Sequence, residues 1–277
     1  MTHGGDGASF GDMAHRFRRD GFVAPVAAIR PEETQAILNE IALLRRQLGG
    51  EAETILRHKP HLVLPSFAGL IRDHRVTDAV AALLGPDLLC WTTNLFAKTP
   101  GDGMRVSWHQ DGTYWGLSSA DVVTAWVALS PSTPENGCLR VIPGSHTWPQ
   151  QQHRDTYAPD NLLTRGQEIA VEVDESEAVD IVLGPGEMSL HHVMIAHASE
   201  PNRGAVPRLG VAIRYISTAV EQTSGMTDSA SLARGQDRHG HFEAEPAPVA
   251  LADHAAREAH RQSMERTQRL LHRQTRM

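Results

Sequence analysis

Apolar residues fall into two regimes along this chain. In the first 85 residues they recur at helical spacing. Ile37, Ile41, Leu44 and Leu48 lie three or four apart behind Pro31 and stop at Gly49-Gly50, which predicts a helix with both ends signalled. Ser9 to Asp12 has the form of a capping box and Gly21 stands where a C-cap belongs, predicting an earlier helix. A third is expected around Arg75 to Leu84, closed by Gly85-Pro86. The period then shifts to two. Strands are expected near 88–98, 105–111, 121–130, 138–142, 169–173, 179–183, 188–192 and 208–217, between turn clusters such as Pro131–Gly137 and Pro143–Ser145. Many short strands between turns predict a mainly β fold with flanking α-helices, a jelly roll or double-stranded β-helix of cupin type. No internal repeat is visible. A single such domain is expected over residues 1–220. Residues 221–277 are expected to form a C-terminal extension. Within it, Ser224–Pro248 is short of large apolar residues, whereas Ala255–Met277 has helical propensity and contains six Arg. A helix packed on the domain, a homodimer contact and a frayed tail all fit that stretch.

Composition narrows this picture a little. With 277 residues, 40% apolar and 21% charged, the chain can build one large core. A net charge of -7 argues against nucleic acid as a general partner, which needs a dominant basic surface. Cys90 and Cys138 both lie in apolar, strand-like runs and read as buried free thiols. The first residues are polar and lack the apolar core of a signal peptide, and no apolar run approaches the ~20 residues that span a bilayer. A soluble, cytoplasmic protein acting on a small molecule is expected, with neither membrane nor nucleic acid as partner.

The chemistry centres on Ser-Trp-His-Gln-Asp-Gly-Thr-Tyr-Trp at 107–115. Residues two apart on a strand share a face, so His109 and Asp111 can bind one metal ion together. An octahedral ion then needs a third ligand on the same side, and His197, 88 residues after His109, is the candidate. Two His and one carboxylate leave three adjacent positions open, which suits Fe(II) and O2 chemistry. Arg208 opens a strand in which Leu209, Val211 and Ile213 alternate with smaller residues. An Arg at such a place can hold a carboxylate bidentately, as the distal end of a 2-oxo dicarboxylic acid requires.

With these residues in place, the chain resembles the phytanoyl-CoA dioxygenase family of Fe(II)/2-oxoglutarate oxygenases. The resemblance rests on Trp-His-Gln-Asp at 108–111, Trp126 in Thr-Ala-Trp-Val-Ala-Leu, and Asn-Gly-Cys-Leu-Arg-Val-Ile-Pro-Gly-Ser-His at 136–146. It extends to Pro-Gly-Glu at 185–187 and to His-Ala-Ser-Glu-Pro-Asn with Arg208, covering roughly residues 15 to 218. It implies that His109, Asp111 and His197 bind iron, that Arg208 and Ser199 hold the distal carboxylate of 2-oxoglutarate, and that Trp126 lines its pocket. The branch is similar to bacterial small-molecule hydroxylases and to the non-haem iron halogenases. Those halogenases place Ala or Gly where this chain has Asp111, leaving a position for halide. With the carboxylate present, hydroxylation or desaturation is expected, with O2 consumed and 2-oxoglutarate converted to succinate and CO2. The same resemblance favours His197 over His191, which shares its strand parity.

Other residues carry two readings each. Arg214 shares parity with Arg208, so it either joins the cosubstrate site or reaches solvent. Lys98 shares parity with Asn94 and Phe96 and is expected to be exposed. His191 and His192 read as packing or supporting residues, and Ser145 and His146 as parts of a turn. Thr113, Tyr114 and Trp115 follow the metal motif so directly that they must lie near it. Arg57-His58-Lys59-Pro60-His61 is either a solvated loop or a cationic lid that recognises an anionic substrate. On the second reading Lys59 and His61 touch substrate, with His61 aimed by the Pro60 ring. Within the family it resembles, bacterial-looking chains with this Lys-Pro-His and Trp-His-Gln-Asp-x-Thr-Tyr-Trp arrangement suggest as substrate an organophosphonate or similar small anion, an amino acid, or a secondary-metabolite intermediate. A carrier- or CoA-tethered substrate, a non-catalytic metal-binding or sensory protein, and an isomerase or epimerase using the same iron centre are the alternatives.

Overall fold

The computed structural model describes residues 9–163, 165–170 and 173–274, apart from the side chains of Thr113, Tyr114 and residues 270–274. Its helices are α1 (Phe10–Asp20), α2 (Pro31–Leu48), α3 (Glu51–Arg57), α4 (Pro65–Leu70), α5 (His74–Leu84) and α6 (His254–Gln274). The signals read from the sequence act as expected. Ser9 Oγ accepts the Asp12 N–H, Gly21 closes α1 at φ 81°, and Pro31 opens α2. The buried face of α2 carries Ile37, Ile41 and Leu44.

The strands are β1 (Phe22–Ala27), β2 (Leu88–Lys98), β3 (Val106–His109), β4 (Val122–Ala128), β5 (Leu139–Val141), β6 (His153–Asp155) and β7 (Gln167–Ile169). They continue with β8 (Val179–Ile181), β9 (Glu187–His192), β10 (His197–Ser199), β11 (Arg208–Ser217), β12 (Ser229–Arg234) and β13 (Glu243–Ala244). One sheet has seven strands in the order β1-β9-β4-β11-β2-β12-β13, a second has four in the order β3-β10-β5-β8, and β6-β7 form a separate hairpin. Of the strand expected over 169–173, residues 171–172 lie outside the described residues.

Period-two patterning divides the core into two layers. Val123, Ala125 and Val127 of β4, with Val211, Ile213 and Tyr215 of β11, pack in one cluster with Ile41, Leu44, Phe67 and Val76 of the helices. The intervening residues Trp126 and Ala128, with Ala212, pack instead with Leu139, Val141 and Ile181 of the smaller sheet. The same alternation turns Arg208, Gly210, Ala212 and Arg214 toward the space between the sheets.

The segment after residue 220 departs from a simple helical extension. It contains the helix α6, but Ser229–Arg234 also pair with β2 inside the large sheet. Glu245 lies just beyond β13 and is buried against Lys59 and His61. Lys59 Nζ donates to Glu245 Oε1 at 2.6 Å and to the Ser229 carbonyl at 2.7 Å, while His61 Nε2 donates to Glu245 Oε2 at 3.0 Å. Both readings of the 57–61 segment are therefore corrected for these two side chains. Lys59 and His61 are buried at 2% and 1% exposure, and they spend their donors on an internal carboxylate from 184 or more residues away. Arg57 alone of the segment is exposed.

Candidate active site

β3 and β10 are antiparallel neighbours, and His109 stands directly opposite His197. Directly paired residues project to one side of a sheet, and the two imidazoles lie with ring centroids 4.0 Å apart. Gln110 is still extended; a turn of 3-10 helix over Asp111–Tyr114 then brings the Asp111 carboxylate back to the rings. Asp111 Oδ1 is 3.4 Å from His109 Nε2, and ligand atoms of His109, Asp111 and His197 all lie within 4.8 Å of one another.

Each imidazole is oriented from behind. His109 Nδ1 donates to the Ser107 carbonyl at 2.8 Å and His197 Nδ1 to the Ile195 carbonyl at 3.0 Å, which leaves both Nε2 lone pairs facing the cluster. Burial, helped by the neighbouring His109, pushes the His197 imidazole well below its ordinary value, so it is neutral near pH 7. Burial works against ionisation of Asp111, but the charge of Arg214 and contact with His109 hold its carboxyl far below the usual carboxylate range. Its Oδ2 is buried without a hydrogen-bond partner. Two imidazoles, one carboxylate and an orphaned oxygen are the donor set of a divalent ion, and the residues fit one.

His191 does not compete for that place. It lies in β9 of the large sheet while His197 opens β10 in the small one, so the strand parity they share in sequence is broken by the turn between. Its ring lies 5.2 Å from that of His197 and lines the cavity, neutralised by burial at a value of about 4.

The cavity encloses about 480 Å³ of space, part of it open to solvent. His109, Asp111 and His197 lie along its wall, with Phe96, Leu139 and Leu163 supplying apolar surface. Arg208 also lines it. This side chain is 3% exposed and donates from Nη1 to the Gly137 carbonyl, and its guanidinium lies 5.2 Å from the centre of the Trp126 ring. Its Nε has no partner, and no carboxylate of the described residues pairs with it. Burial lowers its value to about 10. A buried cation without an anion is costly unless a ligand supplies one. Gly210 makes this arrangement possible: a Cβ there would lie 2.0 Å from Trp126 Cζ2, so only glycine lets the indole cross the strand.

Lys98 requires correction. Expected at the surface, it is fully buried opposite Arg208 and donates to Ser199 Oγ at 2.6 Å, to the Ser199 carbonyl at 3.0 Å and to the Glu200 carbonyl. Burial and then the charge of Arg208 push it down to about 7. It thereby orients the Ser199 hydroxyl on the cavity wall. Arg214 stands at the other end of β11's inner face, 3.8 Å from Asp111 and over the Trp115 ring at 5.2 Å. Trp115 packs on Trp91 with centroids 5.2 Å apart. The side chains of Thr113 and Tyr114 lie outside the described residues. Asn94, which accepts from Arg214, was not singled out in the sequence. Its parity with Lys98 was the signal that could have found it.

The phytanoyl-CoA dioxygenase model matches residues 17–210, well over half of the chain. The chain belongs to the phytanoyl-CoA dioxygenase family. It is thereby a member of a group of iron- and 2-oxoglutarate-dependent dioxygenases. Among solved structures it is similar to the non-heme monooxygenase ThoJ in its apo form, with 38% identity, 96% of this chain and 99% of that one covered, and a TM-score of 0.86. CytC3 with Fe(II) and alpha-ketoglutarate is 29% identical over 84% of this chain and 91% of that one, at a TM-score of 0.62. A probable alpha-ketoglutarate-dependent hypophosphite dioxygenase of Stutzerimonas stutzeri is 28% identical over 172 residues. That match covers 60% of this chain but only 59% of the relative's length. No helix among the described residues is long and apolar enough to cross a membrane.

Proposed function

We propose that this chain is an Fe(II)/2-oxoglutarate-dependent dioxygenase that hydroxylates an unactivated C–H bond of a small polar or anionic molecule. Its two sheets are read as a double-stranded β-helix with the reaction chamber between them. The observation that carries the proposal is one cavity with a His-Asp-His cluster on its wall and a buried, anion-free guanidinium farther along. His109, Asp111 and His197 would hold the iron. Arg208 and Ser199 would hold the distal carboxylate of 2-oxoglutarate, with Trp126 under the guanidinium. The iron, when bound, supplies activation of O2 coupled to conversion of 2-oxoglutarate to succinate and CO2.

The chain's own residues do the rest. The Nδ1–H bonds of His109 and His197 fix which nitrogen faces the ion. Asp111 would be the carboxylate ligand of the ion, taking a place that a halide would otherwise need, which favours oxygen transfer over halogenation. Lys98 holds Ser199 in place for the cosubstrate. The polar substrate class is supported by the likeness to a probable hypophosphite dioxygenase and by the density of charged groups in so small a cavity.

The test is anaerobic metal loading followed by turnover with a panel of phosphonates, amino acids and hypophosphite. One Fe(II) per chain, succinate release on admitting O2, and label from O2 in both succinate and product are expected. In high chloride the product should carry no halogen. Full iron content and turnover in His197→Ala, or consumption of no 2-oxoglutarate under any condition, would overturn the proposal.

A further inference from the structure

β11 carries two guanidinium groups on its inner face, Arg208 at its start and Arg214 six residues on. At about 3.3 Å per residue their backbone positions are roughly 20 Å apart, so they serve different ends of the cavity they both line. Arg208 has its anion assigned in the reading above. Arg214 does not.

Arg214 is held rigidly for a ligand. Asn94 donates from its amide nitrogen to the Arg57 carbonyl, which fixes its oxygen toward Arg214, and that oxygen accepts from Arg214 Nη1. Trp115 supports the guanidinium face. The side chain is nine-tenths buried, yet its Nε has no hydrogen-bond partner. Its one carboxylate among the described ion pairs is Asp111, whose Oδ2 is 3.8 Å from Nε, beyond hydrogen-bonding reach.

Charge balance shows what is missing. With the divalent ion in place, the ion and the two guanidiniums carry four positive charges. Asp111 offsets one of them and doubly charged 2-oxoglutarate two more. Among the groups that line the cavity one positive charge is left, and such a buried charge is strongly unfavourable unless paired. We infer that Arg214, braced by Asn94 and Trp115, receives an oxyanion of the substrate (a carboxylate, sulfonate or phosphonate) and so determines specificity. This inference rests on the Fe(II)/2-oxoglutarate reading above and names the substrate class for the same site.

The test uses the anaerobic Fe(II)·2-oxoglutarate complex and reads its visible charge-transfer band. Methanesulfonate and its uncharged analogue dimethyl sulfone are the probes. The anion should perturb the band saturably and the sulfone should not. Arg214→Gln should weaken methanesulfonate by at least about tenfold, as loss of one partner of a buried charge pair does, and Arg214→Lys by less. Arg203→Gln, at an exposed guanidinium that does not line the cavity, should leave methanesulfonate affinity within about threefold, a shift of well under 1 kcal/mol. Equal binding of sulfone and anion, unchanged anion affinity in both Arg214 variants, or displacement of 2-oxoglutarate by the anion would each overturn the inference. If the wild-type protein forms no Fe(II)·2-oxoglutarate band at all, the underlying reading fails first. A normal band that ignores the anion defeats only the assignment of Arg214.

Discussion

Glu245→Leu should be among the most destabilising single changes in this protein, although it lies outside the cavity. Glu245 accepts from Lys59 Nζ and Ser229 Oγ on one oxygen, and from His61 Nε2 and Ser231 Oγ on the other. Its side chain is 4% exposed and that of Lys59 2%. Removing the carboxylate strands the Lys59 ammonium in the core, and breaking one side of a buried pair costs about 3–5 kcal/mol. That is a fifth or more of the roughly 5–15 kcal/mol that keeps a typical domain folded. In urea, with a slope of about 2 kcal/mol per molar, the midpoint should fall by roughly 2 M. Adding Lys59→Met should recover most of the loss, because an apolar pair of similar volume tolerates burial. The pH dependence has a definite sign. Burial opposes ionisation of Glu245, but Lys59 and the His61 hydrogen bond hold its folded value far below the ordinary range. Its contribution is therefore present above the unfolded value of about 4.3 and is lost as the pH falls below it. The gap between wild type and variant should narrow between about pH 5 and 3. A loss below about 1 kcal/mol at pH 7, or a gap indifferent to acid, would refute the reasoning.

Three further outcomes are expected. Arg208→Ala should raise the apparent KM for 2-oxoglutarate by about thirtyfold to a few thousandfold, the equivalent of roughly 2–5 kcal/mol, with Arg208→Lys in between for want of a planar fork; steady-state kinetics would show it. Gly210→Ala should cost about 1–3 kcal/mol by overpacking and weaken 2-oxoglutarate binding as the Trp126 indole is displaced, and unaltered thermal unfolding with unaltered affinity would contradict the close approach. His109→Ala and Asp111→Ala should each lose most bound Fe(II), measured by equilibrium dialysis, while keeping the wild-type circular dichroism spectrum.

Much of this architecture was legible where the signal is local. Ser9, Pro31 and Gly21 marked helix ends because capping is chemistry between near neighbours, and the alternation in β11 put Arg208 and Arg214 on one face. His109 and Asp111 could be paired from spacing alone. Lys98 and Lys59 could not be read correctly. A lysine is mostly exposed, and the acceptors that bury these two arrive from residues 199, 200, 229 and 245, which only the folded chain brings near. β12 escaped notice because Ser229–Arg234 is small and polar, and it becomes a strand through pairing with β2. His191 was ambiguous for a related reason: parity carries no information across the turn that separates the two sheets.

The cross-strand pairing of His109 with His197 has an evolutionary consequence. The two ligands are 88 residues apart in the chain, yet they form a single rung of a ladder, and a slip of one residue would turn either imidazole to the wrong face. What is conserved by such a rung is register, not distance along the chain. Trp115 and Leu163, both outside the strands, lie in the span between the rung's two ends. Loops tolerate insertion and replacement far better than paired strands. The walls that meet a substrate can therefore be rebuilt, by nature or by design, while the place where a metal would bind stays as it is.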